Sequence, residues 1–78
     1  MVREKFQYTI TEYSYDDVCS SVKQYIDSLN ETHNFNIKYC ITRRYNIYRE
    51  VVISMSFETD NPYEMGNVKR LMYKLFKK

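Results

Sequence analysis

The sequence predicts an α+β domain with the order β-α-β-β-α. It places a three-stranded antiparallel sheet in strand order 1-3-2, with two helices packed on one face. Three observations lead there. Three segments alternate apolar and polar residues with period two. Two others carry apolar residues at helical spacing behind capping signals. The chain has 78 residues, one glycine and one proline, which leaves little room for long loops and fits a single domain over residues 1–78.

The first strand is read over Lys5–Tyr13, with Phe6, Tyr8 and Ile10 on one side and Lys5, Gln7, Thr9 and Thr11 on the other. Ser14 followed by Asp17 matches a capping box, so the first helix is expected from there to about Asn30. Val18, Val22, Ile26 and Leu29 form its apolar stripe, widened by Tyr15, Cys19 and Tyr25. The polar run Asn30–Asn34 ends it.

Phe35, Ile37, Tyr39 and Ile41 alternate with polar neighbours to give the second strand, and Val51, Ile53, Met55 and Phe57 give the third. A common apolar face requires an odd loop, because a slip of one residue reverses every side chain. The expected register sets Ile41 opposite Val51 and Phe35 opposite Phe57. The expected loop is Tyr45-Asn46-Ile47, with Asn46 suited to positive φ.

Asn61, Pro62 and Glu64 then read as cap, first helical position and capping-box acid of the last helix. Its expected buried stripe is Met65, Val68, Leu71, Met72, Leu75 and Phe76. Gly66 breaks the pattern and is expected to allow close packing near the first turn. A right-handed crossover puts strand one beside strand three. Over the whole chain this topology resembles a ferredoxin-like α/β sandwich without its final strand. The resemblance implies a fold and no function. It leaves the first strand as a free edge, so a homodimer through that edge is a further expectation.

The function classes narrow by composition. No apolar run reaches the roughly 18 residues of a membrane span, and the charged, alternating start does not read as a signal peptide. Cys19 and Cys40 fit no metal spacing and fall on opposite faces, so the expectation is a cytoplasmic chain with free thiols. His33 lies in a turn with no nucleophile beside it, and no phosphate-loop or dinucleotide motif is present. A non-catalytic protein without cofactor or metal is therefore expected.

The segment Arg43-Arg44-Tyr45-Asn46-Ile47-Tyr48-Arg49 concentrates arginine and tyrosine, the residues most enriched at binding hot spots. Arg43, Arg44, Tyr45, Ile47, Tyr48 and Arg49, with Lys38 on the neighbouring sheet face, form the candidate partner-binding set. Lys, Asn, Ile, Tyr, Phe and Met fill close to half the chain, as AT-rich coding would produce. Together these point to a small phage or mobile-element protein, with an ordinary gene of an AT-rich cell as the other source of such a composition. Its expected role is steric inhibition of a host or defence protein in the host cytoplasm, in the manner of an anti-CRISPR inhibitor. The target could be a nucleic-acid-binding complex. The alternative is a small DNA- or RNA-binding regulator that uses the open sheet face and the basic last helix, through Lys69, Arg70, Lys74, Lys77 and Lys78. The net charge of +2 gives that alternative little support.

Overall fold

The computed structural model describes residues 1–76. Lys77 and Lys78, expected as nucleic-acid contacts in the alternative reading, lie outside the described residues. The elements are β1 (Val2–Ile10), α1 (Glu12–Thr32), β2 (Lys38–Tyr45), β3 (Val51–Thr59) and α2 (Pro62–Phe76). The sheet is antiparallel with the order β1-β3-β2, as the crossover argument expects.

The odd-numbered residues of β3 are buried and the even-numbered ones half-buried, the alternation a pleated strand imposes. Ile53, Met55 and Phe57 meet Val22, Ile26 and Leu29 of α1 and Met65, Val68, Leu71 and Met72 of α2 in one core cluster. Cys19 is half-buried against this cluster, Cys40 is exposed, and both are free thiols.

Several local expectations are corrected. β1 starts earlier and stops at Ile10, and the cap of α1 is Thr11 rather than Ser14. The Ser14 N–H donates to Thr11 Oγ1 at 3.3 Å, and the two hydroxyls lie 2.8 Å apart. Ending the strand at Ile10 keeps its last apolar residue opposite Val51.

The β2–β3 register differs by four residues from the expected one: Tyr45 faces Val51, Ile41 faces Met55 and Tyr39 faces Phe57. The shift is even, so each residue keeps its face. Phe35 and Ile37 therefore lie outside the ladder. Ile37 is nonetheless 3 % exposed within the core cluster, and the Asn30 side chain satisfies its main chain in place of a strand neighbour. Its Oδ1 accepts from the Ile37 N–H at 3.0 Å, and its Nδ2 donates to the Ile37 carbonyl at 3.1 Å.

In α2, Asn61 caps the helix by accepting from the Tyr63 N–H at 2.9 Å. Glu64 does not reach back to Asn61. It is buried, and its Oε1 accepts from the Thr59 hydroxyl and from the Asn36 N–H at 3.3 Å. Leu75, expected in the core, is exposed, and Phe76 is half-buried in a stack with Tyr8 at 3.8 Å between ring centroids. A Cβ on Gly66 would meet nothing within 4 Å, so no close packing explains that glycine.

Candidate interaction surface at the hairpin tip

The hairpin turn is built around Asn46. Its Oδ1 accepts from the N–H groups of Tyr48 and Glu50, both at 2.9 Å, and its Nδ2 donates to Glu50 Oε1 at 3.1 Å. Main-chain bonds complete the closure, from the Asn46 N–H to the Glu50 carbonyl and from the Arg49 N–H to the Asn46 carbonyl. The loop is thus Ile47-Tyr48-Arg49, with the odd parity expected but two residues later than predicted. Asn46 is the pin instead of a loop residue. The left-handed position falls on Arg49, with φ 61°, as this loop class requires at its third residue.

The new register divides the candidate residues. Arg43 and Tyr45 pair with Ile53 and Val51, so they share the inward face of β3 and turn toward α1. The Arg43 guanidinium lies 4.9 Å from the centre of the Tyr15 ring, and the Tyr45 hydroxyl donates to Glu12 Oε1 at 3.0 Å. Burial, followed by the hydrogen bond with Cys19, pushes the Tyr15 hydroxyl above its ordinary pKa. Arg44 and Lys38 lie on the outward face, opposite Val52 and Glu58. Arg44 donates to Gln7 Oε1 at 2.9 Å across the sheet.

Ile47 and Tyr48 are left at the apex, 88 % and 76 % exposed, with Arg49 exposed beside them. Tyr13, almost fully exposed in the first turn of α1, stands at the same end of the molecule, next to the residue that Tyr45 bonds. The strand expected over Lys5–Tyr13 put this tyrosine at the end of the sheet, whereas it stands in α1. Thr11 followed by Glu12 is the cap signal that could have revealed it.

Among the alternative contacts, Lys69 is exposed and pairs with Glu4 at 3.2 Å, and Arg70 and Lys74 are exposed. Glu4 alternates with Arg3 and Lys5 along β1, so the cations of α2 and of the sheet lie on opposite sides of that strand. Among the described residues no three His, Cys, Asp or Glu side chains group to hold a metal, and no helix is long and apolar enough to cross a membrane. The chain matches no protein-family model, no curated protein and no solved structure.

Proposed function

We propose that this chain is a non-catalytic protein-binding module that seats its hairpin tip on a partner. The observation that carries the reading is the presentation of Ile47 and Tyr48. Both are exposed on a turn whose geometry is fixed by three side-chain bonds from Asn46. Ordering a loop costs about 1–2 kcal/mol per residue of backbone entropy. A turn already ordered does not incur that cost on binding, so more of the contact energy appears as affinity. The fitting partner offers an apolar cleft with a carboxylate rim: the cleft takes Ile47 and Tyr48, and the rim faces Arg44 and Arg49.

The mode of action is occupancy. A steric inhibitor of a host or defence protein, encoded by a phage or mobile element, is the reading that unites this tip with the AT-rich composition.

Affinity capture from candidate host extracts, run in parallel with wild type and an Ile47→Asp/Tyr48→Ala variant, tests the tip. A partner held by wild type should fall at least tenfold on the variant, while the thermal midpoint stays unchanged. Equal recovery on both would remove the tip from the account.

A further inference from the structure

The outward face of the sheet is a second surface, distinct in chemistry from the tip. Its end row is Arg3–Glu58–Lys38, and the next is Lys5–Ser56–Cys40. Arg3, Lys5, Lys38, Ser56 and Glu58 are among the residues that line a shallow depression. Arg44 stands two rows farther on and donates to the neutral Gln7 amide. Within the three paired strands four cations therefore share this face with Glu58, which Arg3 engages at 3.4 Å. Asp60 lies beside Lys38 and Glu58 at one end, and Glu50, bonded to Asn46, lies at the other. The positions between them carry the hydroxyls of Thr9, Thr42 and Ser54.

We propose that this face binds the phosphate backbone of nucleic acid without reading its bases. Charge complementarity names a polyanion. The type of side chain then separates nucleic acid from an acidic protein. Protein interfaces anchor on buried aromatic and aliphatic groups and are poor in lysine, and this face offers only Val52 as an aliphatic anchor. Arginine, lysine, serine, threonine and glutamine are the side chains that donate to phosphate oxygens. Stacking of bases needs aromatic rings on the platform. The outward positions of all three strands carry none, so the contact is to backbone alone and is independent of sequence. This inference does not rest on Ile47 and Tyr48 at the tip and shares only Arg44 with that surface.

The test is fluorescence anisotropy with a labelled mixed-sequence duplex. Neutralising three to four phosphates gives an affinity loss of roughly 40- to 150-fold between about 50 and 200 mM salt. Lys5→Gln, Lys38→Gln and Arg44→Gln should each lower the log–log salt slope by about 1. The triple variant should bind at least tenfold more weakly at low salt. A Lys69→Gln/Arg70→Gln variant should change affinity less than twofold. Three results would overturn the proposal: no binding at low salt, a loss that follows the α2 pair instead, or displacement of the duplex by an equally charged polyglutamate peptide. The last would assign the face to an acidic protein.

Discussion

The two ends of the β2–β3 hairpin use the same device to opposite ends. At the base, Asn30 holds both polar groups of the Ile37 backbone, and Glu64 ties Thr59 to Asn36. At the tip, Asn46 holds Tyr48 and Glu50. In each case an amide side chain takes the place of a missing strand neighbour. The base uses that order to bury an isoleucine, Ile37. The tip leaves one in water, Ile47. Local order at the base is thus explained by the core it seals. At the tip no core is gained, and the order fixes the shape of an exposed apolar surface. That asymmetry is the physical reason to look for a partner there.

The comparison is broken most directly through the two isoleucines. Ile37→Ala should destabilise by about 3 kcal/mol, within the range for emptying a buried aliphatic site. Ile47→Ala should stay within about 0.5 kcal/mol, as for an exposed position. Urea denaturation measures both. A large loss from Ile47→Ala would mean that the tip packs on the body and is not displayed. The two asparagines sharpen the point. Asn30→Ala strands a part-buried donor and acceptor and should cost about 2 kcal/mol. Asn46→Ala frees groups that water can reach, so about 1 kcal/mol is expected, with a disproportionate loss of partner capture.

Topology was legible in the sequence, and register was not. Period-two alternation fixes which face a residue takes, and any even shift preserves it. The register with Ile41 opposite Val51 and the observed one, with Tyr45 there, keep every residue on the same face, so alternation does not separate them. What separates them is turn chemistry. Asn46 closes the three-residue loop with three side-chain bonds. Its pairing with Glu50 is a side-chain event invisible to periodicity. The parity of Ile41, Arg43 and Tyr45 put all three on the inward face in either register, so the candidate set mixed two faces. The contacts of Arg43 and Tyr45 with Tyr15 and Glu12 of α1 are what alternation does not show. At the base, the long-range bonds of Glu64 to Thr59 and Asn36 replaced a local capping box, because the buried carboxylate had two donors within reach.

Backbone substitutions probe the two ends with smaller effects. Gly66→Ala, in the first turns of α2 near the base, adds a Cβ that meets no atom. It should stabilise by about 1 kcal/mol through helix propensity. At the tip, Arg49→Gly removes the penalty of a left-handed residue bearing a side chain, with a gain of up to about 1 kcal/mol. The first variant should leave partner capture unchanged, and the second should weaken it if Arg49 meets the carboxylate rim. Thermal melts with parallel capture assays distinguish the two.

The smallest effect lies in the alkaline range. Tyr39, near the base, has its hydroxyl pKa raised from 10.0 by burial and then by the charge and hydrogen bond of Asp27. A raised folded-state pKa means that the native protein keeps its proton longer than the unfolded chain. Its contribution is therefore fully present below pH 10 and is lost as pH rises through the folded-state value. Tyr15, toward the tip end of α1, is shifted in the same direction and adds to the loss. Tyr39→Phe keeps the ring and removes the titrating group, so its stability should fall less steeply above pH 10 than that of wild type. Denaturation midpoints measured across that range check the slope. An unchanged slope would show that the Tyr39 hydroxyl is solvated in the native state, and that the base is less tightly closed than its burial implies.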